Sequence, residues 1–572
     1  MSTDTPKPEK KLSAVEKIKT ESEFLRGTIG EELANDTSHF GSSDIQLLKF
    51  HGSYQQDDRD KRVKMKKAGK EKAFAMMVRC RIPGGRITSD QMLAQLDLCD
   101  ELGDSTMKIT TRQTLQLHGI LKKDLRETIH RINKMQLSTL AACGDVNRNI
   151  MCCPAKRADG VHQQLNQLTD QLTEDLAPKT PAYHELWVID QETGEKTLEG
   201  GGPVEEPLYG PTYLPRKFKM GIALPEDNCI DIYTQDLGFL AVVRDDKIIG
   251  YNVLVGGGMG TTPALKRTYP ALAKRLGFCT PEQTTEVSKA IIMVQRDHGN
   301  RADRKVARMK YLVDEMGVDA FRVKVQEYLG YALEDCTEDD VTGVDDHMGW
   351  QDQGDGKWSY GLNIENGRLL DNDTIQLKAM MREICKTFGT ELRMTGHQSI
   401  IVTDVEPEQK DQLIEIIQRH NVPTTEDTST VRRWSMACVA LPTCGLAITE
   451  SERRLPSLMD DLEQPLAKLG LDKERFTIRM TGCPNGCARP YNADIALVGK
   501  AKDKYTLFAG GGWLGNRLAY IYKDLVPSDD LASEIIAIAG AFKANANEGE
   551  SLGEFCTRVG KDDLAVMADA AR

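Results

Sequence analysis

The chain has 572 residues, of which 40 % are hydrophobic and 28 % are charged, as in an ordinary soluble protein of about two to four domains. Its formal net charge of −12 argues against non-specific nucleic-acid binding, which needs clustered positive charge. The sequence contains no run of 18 apolar residues and no secretory signal, so we predict a cytoplasmic protein that does not span a membrane.

The chain begins with a polar segment and later repeats part of itself. The first 50 residues are mixed in charge and predict an N-terminal arm, which we extend to residue 74. Two later segments resemble each other, MKITTRQTLQLHG (107–119) and LRMTGHQSIIVTD (392–404), and each follows a similar short turn, IPGGR (82–86) or IENGR (364–368). These similarities predict an internal duplication in an α+β protein.

The first copy of the repeat alternates as a β-strand does. Alternation places polar side chains together on one face of a single strand, and these are Thr110, Arg112, Thr114, Gln116 and His118. The second copy keeps a polar face with Thr395, His397 and Ser399. We predict two related strands that face a shared cleft, with a water-facing edge strand as the alternative. Between the copies, the acidic, glycine-rich segment 337–357 predicts an exposed connector.

Cysteines supply the strongest chemical signal. Eight of the 14 stand alone and are expected to be small buried apolar residues, namely Cys80, Cys99, Cys143, Cys229, Cys279, Cys336, Cys385 and Cys556. Two close pairs, Cys438 with Cys444 and Cys483 with Cys487, can supply four thiolates. Four thiolates suit tetrahedral zinc or an iron–sulfur cluster. The wide spacings and the adjacent prolines and glycines favour a [4Fe–4S] cluster.

Six further segments accompany the second cysteine pair in TGCPNGCAR (481–489), and they are HGSYQQDDRD (51–60), TTRQTLQLHGI (110–120), GDVNRNIMC (144–152), YLPRKFK (213–219), LVGGGMG (254–260) and QRDHGNRADRK (295–305). In these motifs and in their order, nearly the whole chain resembles the sirohaem-containing sulfite and nitrite reductases. The likeness is greatest to the assimilatory, NADPH-dependent branch, whose activity serves cysteine biosynthesis.

The resemblance implies a three-domain α+β fold whose duplicated halves enclose a central cofactor cleft. It implies a central ferredoxin-like domain made from residues 75–140 and 350–421 after the 1–74 arm. A second domain that contacts sirohaem and substrate would span residues 141–349. The third domain, residues 422–572, would carry the cluster cysteines.

The resemblance also implies the residues of the site. Each basic residue taken singly would be an ordinary surface cation, but the family motifs assign Arg79, Arg148, Lys217 and Lys219 to sulfite. If YLPRKFK is extended, the two lysines project from one face and Phe218 from the other. Contacts to the carboxylates or edge of sirohaem are implied for Arg112, Arg216, Lys305 and Gln398. A solvated basic helix is the alternative for the segment around Lys305.

The implied reaction is the six-electron reduction of sulfite to sulfide, with the cluster as an electron relay and Cys487 also bound to the sirohaem iron. The sequence has no dinucleotide-binding, flavin or P-loop motif, and LVGGGMG is interpreted as a close-packed glycine turn against the macrocycle. A separate NADPH-dependent diflavin reductase is the expected electron donor, with ferredoxin as the alternative. Outside the redox class, a zinc-binding module or an enzyme of tetrapyrrole synthesis would each leave some of these motifs unexplained.

Overall fold

In this computed structural model, the described residues are 11–180 and 206–572, with 182, 186–189, 193–194 and 196–200 between them. The start of the predicted arm, residues 1–10, lies outside them. The α-helices of the described residues, in chain order, are α1 (Ala14–Thr20), α2 (Ile29–Ala34), α3 (Asp44–Leu47), α4 (Arg59–Lys67), α5 (Ser89–Glu101), α6 (Leu125–Lys134), α7 (Gly160–Asp175), α8 (Thr284–His298), α9 (Met309–Met316), α10 (Val318–Leu329), α11 (Leu377–Phe388), α12 (Lys410–Arg419), α13 (Thr430–Arg433), α14 (Leu455–Lys468), α15 (Leu531–Asn545) and α16 (Leu552–Ala570).

The strands of the same residues are β1 (Ser53–Asp57), β2 (Phe74–Arg79), β3 (Arg86–Thr88), β4 (Met107–Ile109), β5 (Leu115–Ile120), β6 (Met151–Cys152), β7 (Leu186–Ile189), β8 (Lys196–Gly200), β9 (Met220–Ala223), β10 (Leu237–Arg244), β11 (Lys247–Val255), β12 (Lys274–Cys279), β13 (Gly349–Asp352), β14 (Trp358–Leu362), β15 (Arg368–Leu369), β16 (Glu391–Met394), β17 (Ile400–Val405), β18 (Ser435–Ala437), β19 (Ile478–Thr481), β20 (Ile495–Ala501), β21 (Lys504–Ala509) and β22 (Tyr520–Pro527). No helix among the described residues is long and apolar enough to cross a membrane.

The predicted duplication forms two matching sheets that exchange a strand. Their orders are β1-β2-β5-β4-β15 and β13-β14-β17-β16-β3. The short strand β3 leaves the first half and pairs with β16 of the second, while β15 leaves the second half and pairs with β4 of the first. One apolar core serves both sheets, with fully buried Ile109 and Leu117 packed in the same cluster as Met394 and Val402. Neither half is therefore a separate folding unit.

The exchange depends on the two repeated turns. In each turn, two successive residues have a positive φ, Gly84 and Gly85 at 57° and 76° and Asn366 and Gly367 at 53° and 72°. The glycines that follow lie against the opposite half. A Cβ at Gly85 would come within 2.4 Å of the Met394 oxygen, and one at Gly367 within 2.1 Å of the Ile109 oxygen. These positions require glycine because a side chain would separate the halves.

The prediction of a single continuous strand at 107–119 is wrong, because the segment is a hairpin. Strands β4 and β5 pair antiparallel. The chain reverses at Gln113, whose φ is 55°, and the Thr110 side chain accepts a hydrogen bond from the Arg112 N–H at 3.2 Å. The second copy reverses in the same way at Gln398, whose φ is 68°. The polar residues that simple alternation placed on one strand face are therefore divided between a strand and a turn.

The second and third domains also match each other, which the sequence analysis missed. Their sheets have the orders β6-β9-β10-β11-β12 and β18-β19-β20-β21-β22. In both sheets, the first three strands run parallel to one another, and each of the last two strands pairs antiparallel with the strand before it. A left-handed residue stands at the same place before the third strand of each sheet, Asp231 at φ 53° and Arg489 at φ 49°.

Two expectations about exposed segments are corrected. The N-terminal segment contributes to the cores, because Leu25, Phe40 and Phe50 are buried and β1 extends the first central sheet. Its apolar residues are sparse but buried, so the polar average composition of the segment did not indicate that it contributes to a core. The connector 337–357 is also not exposed throughout, since Asp346 and His347 are buried. Asp346 is compensated by an ion pair, with Arg433 Nη2 2.6 Å from Asp346 Oδ2.

Candidate redox site

The four predicted cluster cysteines lie on two loops at one edge of the third-domain sheet. Strands β18 and β19 are parallel neighbours, so their carboxyl ends meet at the same edge. Cys438 follows β18 directly, and Cys483 follows β19 after one residue. The loops are then joined by backbone hydrogen bonds, since the N–H groups of Ile448 and Thr449 donate to the Gly482 oxygen at 2.8 and 3.1 Å.

The four thiols lie close enough to influence one another's ionisation. Burial, followed by the charge of Cys487, raises the pKa of Cys483 to about 11, and the same two causes raise the pKa values of Cys438 and Cys444. Two donors already reach the sulfurs: the Gly482 N–H lies 3.3 Å from Cys438 Sγ, and the Asn485 amide lies 3.4 Å from Cys483 Sγ. Four crowded thiolates need a cationic centre between them, so this donor set fits a bound cluster.

Other parts of the chain close over these loops. Arg59 Nη1 donates to the Ala447 oxygen at 2.6 Å, and Thr111 Oγ1 donates to the Cys487 oxygen at 2.9 Å. The Thr261 N–H, next to the glycine turn 254–260, donates to the Pro484 oxygen at 2.9 Å. That turn is close-packed as predicted, and a Cβ at Gly260 would lie 3.2 Å from the Asn485 oxygen. Its packing against the macrocycle stays a prediction.

Lys217 and Lys219 lie within the range of the charge of Cys487. Their segment meets the condition of an extended backbone at Phe218, which is buried and forms a β-bridge with Asn147. Burial and the positive charges of Arg308 and Arg148 lower the pKa of Lys217 to about 7, with Cys487 opposing them. Burial also holds the pKa of Lys219 well below its usual range. No ion pair or hydrogen bond to either ammonium group occurs among the described residues.

The predicted arginines converge on the same region. Arg148 is buried, and its Nε and Nη2 both donate to the Gly144 oxygen at 3.1 Å. Arg79 is partly buried, and when the Gln116 amide is turned so that its oxygen faces the guanidinium, that oxygen accepts from Arg79 Nε at 3.1 Å. Arg112 is buried, and burial together with the charges of Arg148 and Arg489 lowers its pKa to about 9. The region therefore holds more positive charge than its own carboxylates neutralise, which fits anionic ligands.

Three predicted cofactor contacts differ in their surroundings. Arg216 is about one-third exposed, with Nη1 3.9 Å from Asp145 Oδ1. Gln398 is buried, and its amide donates to the Asn366 oxygen at 3.0 Å and accepts from the Ala437 N–H at 3.2 Å. Lys305 is exposed, and no side-chain bond joins it to the other described site residues. Contact of these residues with sirohaem stays a prediction.

The alternative of a solvated basic helix around Lys305 is wrong. Helix α8 ends at His298, and a turn separates it from α9. Two arginines of this stretch turn inward to buried carboxylates. Arg304 Nη1 lies 2.6 Å from Asp145 Oδ2, and Arg308 makes a two-point contact with Asp236 at 2.9 and 2.7 Å.

Sequence analysis missed the carboxylates that organise these cations. Asp236 Oδ2 accepts the Lys219 N–H at 2.9 Å, which fixes the backbone of the lysine segment. Asp231 binds two arginines of the third domain, Arg489 and Arg479, the latter with Nη1 2.7 Å from Asp231 Oδ2. Single aspartates carry no motif, so only the paired arginines in TIRMTGCPNGCAR could have suggested a buried acidic partner.

These sheets, the crossed halves and the cysteine loops define a two-fold duplicated reductase fold, and comparisons with known proteins agree. Residues 143–333 and 429–567 match the nitrite and sulphite reductase 4Fe-4S domain, and residues 68–135 and 351–420 match the nitrite/sulfite reductase ferredoxin-like half domain. The chain therefore belongs to the nitrite and sulfite reductase family.

Individual relatives span nearly the whole chain. The sulfite reductase [NADPH] hemoprotein beta-component of Staphylococcus haemolyticus is 44 % identical over 96 % of both chains. The protein of the same description from Bacillus subtilis is 43 % identical over 97 % of this chain and 96 % of its own. Among solved structures, the Mycobacterium tuberculosis NirA protein has the same fold, with a TM-score of 0.78, 24 % identity and 97 % coverage of both chains.

Proposed function

We propose that this chain is the haemoprotein component of an NADPH-dependent sulfite reductase, which reduces sulfite to sulfide by six electrons at a sirohaem joined to a [4Fe–4S] cluster. The observation that carries the proposal is that four clustered cysteines and two lysines without a recorded carboxylate partner occupy the same region of the described structure. Lys217 and Lys219 approach Cys487 without a carboxylate partner among the described residues. The relatives at 43–44 % identity are described as this component.

The cluster would be held by Cys438, Cys444, Cys483 and Cys487. Cys487 is the only exposed thiol of the four, while Cys483 is buried and the others are intermediate. It can therefore reach a second metal on its outer side, which supports Cys487 as the bridge to the sirohaem iron. When bound, the two groups supply single-electron transfer to the sulfur atom of the substrate.

The basic residues would hold the substrate and move its protons. Arg79 and Arg148 would bind the oxygens of sulfite, because a planar guanidinium can donate to two oxygens at once. Lys217, with its pKa near 7, can both hold and release a proton near neutral pH. We therefore assign Lys217 and Lys219 as the donors of the protons with which the oxygen atoms of sulfite leave as water. Arg112, Arg216, Lys305 and Gln398 are proposed to contact the macrocycle.

The iron content and visible spectrum of the purified protein test the proposal. We expect about five irons per chain, four in the cluster and one in the haem, with Soret and red-region bands. Cys487→Ser should lose the coupled chromophore and the sulfite reductase activity. Cys556→Ser, a buried thiol in the same domain's core, is the matched control and should retain both. A wild-type spectrum and full activity in Cys487→Ser would refute the bridge.

A nitrite reductase is the second candidate activity, because the matching family includes both chemistries. The same site would bind either anion through its positive charge. Comparing kcat/KM for sulfite and nitrite with one artificial electron donor decides between them, and a clear preference for nitrite would overturn the assignment of sulfite as substrate.

A further inference from the structure

A second group of metal-binding side chains lies in the second domain, apart from the four cluster cysteines. It consists of Cys153, Asp227, Cys229 and His347, and one ligand atom from each residue lies within 4.8 Å of the others. All four residues are buried, with exposed fractions of 4, 6, 1 and 2 %. We call these residues the CDCH group. Cys229 was expected to be an isolated apolar residue, and the group shows that it is not.

The polar atoms of the CDCH group face one another without ordinary hydrogen-bond partners. Asp227 Oδ2 lies 3.1 Å from His347 Nε2. Neither atom has a hydrogen bond of acceptable geometry, and both are buried. The other carboxylate oxygen, Oδ1, is occupied by the Cys229 N–H at 3.1 Å. Their only recorded partner is each other, in a contact that is an ion pair only when the ring is protonated. Buried polar atoms without hydrogen bonds are costly, and a shared cation would satisfy both atoms together with the thiols.

The backbone around His347 is also arranged for a fixed ring position. His347 adopts a left-handed conformation with φ 59°, which is uncommon for a residue other than glycine. Its Nδ1 lies 3.8 Å from Asp345 Oδ2, on the side of the ring away from Asp227. A metal-bound histidine usually donates its second ring N–H to a carboxylate, and Asp345 is the nearest such carboxylate although 3.8 Å is beyond hydrogen-bond distance.

The CDCH group occupies the place in the second domain that the cluster cysteines occupy in the third. Cys153 follows β6 as Cys438 follows β18. In the parallel pairings, Leu237 is opposite Met220 and Ile495 is opposite Ile478. Cys229 therefore stands as far before its strand as Cys487 does before β20. The two sites are equivalent through the duplication, although their ligand sets differ.

We propose that Cys153, Asp227, Cys229 and His347 bind one Zn²⁺ ion as a closed structural site. Two thiolates, one imidazole and one carboxylate form a tetrahedral ligand set that zinc accepts. Ideal zinc bond lengths separate neighbouring ligand atoms by roughly 3.3–3.8 Å. The 3.1 Å between Asp227 and His347 lies just below this range and the 4.8 Å limit of the whole group lies above it, so the side chains would adjust slightly around a bound ion. A cubane needs ligands farther apart and four thiolates, so this group suits a single ion.

The zinc would hold together three separate segments near the redox site. It joins the end of β6, the loop 224–231 and the connector before β13. The same loop carries Asp231, which binds Arg479 and Arg489 of the third domain. Arg489 Nη1 in turn donates to the Thr111 oxygen at 2.7 Å. The metal therefore stabilises the contact between the second domain and the Cys487 loop, and this role does not depend on the reaction proposed above.

Element analysis and zinc K-edge absorption of the holoenzyme test the proposal. We expect about one zinc per chain in protein prepared without chelators, or after incubation with ZnCl₂ and gel filtration. The absorption spectrum should show two sulfurs at about 2.3 Å and two lighter ligands at about 2.0–2.1 Å. Because iron is measured in the same sample, zinc that had entered an empty cluster site is recognised by four sulfur ligands and by missing iron.

Variants of adjacent cysteines provide the matched comparison. Cys153→Ser should lower the zinc content at least tenfold and lower the Tm, while iron content stays unchanged. Cys152→Ser removes a neighbouring buried thiol outside the group and should keep the zinc. If Cys153→Ser does not fold, Asp227→Asn replaces it in the test, because it preserves side-chain shape, and it should also lose zinc.

Three results would overturn the zinc assignment. One is zinc below about a tenth of an ion per chain both before and after incubation with the metal. Another is equal zinc in Cys153→Ser and Cys152→Ser. The third is a mass decrease of two hydrogens in wild-type peptides that links Cys153 to Cys229, which would identify a disulfide in place of the metal site.

Discussion

Lys217 and Lys219 illustrate how single residues create the proposed substrate site. Most cations in this region are paired, as Arg308 is with Asp236 and Arg304 with Asp145. The two lysines lack such a pair among the described residues, and burial and neighbouring positive charges lower their pKa values. Their charge is therefore costly until an anion arrives. That cost makes the position suited to binding and protonating a small oxyanion.

Removing either lysine charge should slow turnover and leave the cofactors in place. We expect Lys217→Met or Lys219→Met to lower the sulfite reduction rate about ten- to two-hundred-fold, because a lost charge-assisted contact costs about 1.5–3 kcal/mol. Sirohaem and iron contents should match the wild type. Lys247→Met, at an exposed position of the same domain, is the control. Near-normal rates in both pocket variants would place the substrate elsewhere.

Glu206 gives a pH-dependent prediction at the same scale. Burial raises the pKa of its carboxyl from 4.5 to about 7, against hydrogen bonds that lower it. The folded protein therefore keeps this proton when the unfolded chain has released it. Stability due to Glu206 is largest below about pH 4.5 and declines as pH rises to about 7.

A substitution that cannot titrate should remove this decline. Glu206→Gln should be more stable than the wild type at pH 8 by up to about 3 kcal/mol, and nearly equal to it at pH 5. Thermal unfolding of both proteins at the two pH values measures the difference. Glu174→Gln, at an exposed position, should show no such change. A Glu206→Gln penalty of equal size at both pH values would contradict a raised pKa.

At the scale of elements, the exchanged strands β3 and β15 decide how the central domain is built. Each crosses to the other half directly after a left-handed turn, so the turn, the crossing and the cleft depend on one another. Buried Gln113 reinforces the crossing, because its amide donates to the Met394 oxygen at 3.1 Å and to the Cys152 oxygen at 2.8 Å.

A methyl group at one turn glycine should disrupt this crossing. Gly367→Ala places a Cβ against the Ile109 oxygen, so we expect a clearly larger loss of stability than the about 1–2 kcal/mol due to its positive φ alone. Gly389→Ala separates the two causes, because Gly389 also has a positive φ, 62°, but has open space around it. Equal Tm values for the two variants would show that the contact with Ile109 is unimportant.

The loop that carries Asp231 is the second element to test. Asp231→Asn leaves two buried guanidinium groups without their carboxylate, and breaking a buried pair in this way costs about 3–5 kcal/mol. We expect a lower Tm and a faster loss of cluster iron on storage. Glu327→Gln, which breaks an exposed pair with Lys324, should cost at most about 1 kcal/mol. Iron retention equal to that of the wild type would separate this loop from the cluster.

For the whole molecule, two duplications place the site where the domains meet. The central halves are related by strand exchange, and the second and third domains by sheet topology. Asp231 and Arg489, which occupy equivalent positions in those two domains, form an ion pair with each other. The symmetry is structural, but the chemistry is not symmetric, because only the third domain has four cysteines on its loops.

The electron supply is also a property of the whole chain. Since the sequence has no nucleotide or flavin motif, we expect sulfite reduction with reduced methyl viologen but no NADPH oxidation by the protein alone. Adding an NADPH-dependent diflavin reductase should establish NADPH-linked activity. Reduced ferredoxin supporting faster turnover than that flavoprotein would identify the alternative donor, and NADPH oxidation by the chain alone would contradict the prediction.

The sequence by itself determined the features that depend on local spacing. Cysteine pairs, the repeated turns and the extended Lys217–Phe218–Lys219 segment follow from neighbouring residues, and the motifs predicted the family that the comparisons confirm. The internal duplication of the central halves was also visible in the sequence and is confirmed by the sheets.

Only the tertiary structure decided which distant residues meet. The hairpin at 107–120 depends on a left-handed Gln113 held by contacts to the second half, which alternation of polar residues does not show. The aspartates at 145, 231 and 236 meet their arginines across long stretches of chain. The CDCH group joins Cys153 to His347 in the same way. Such contacts are set by how the sheets pack, so no local pattern contains them.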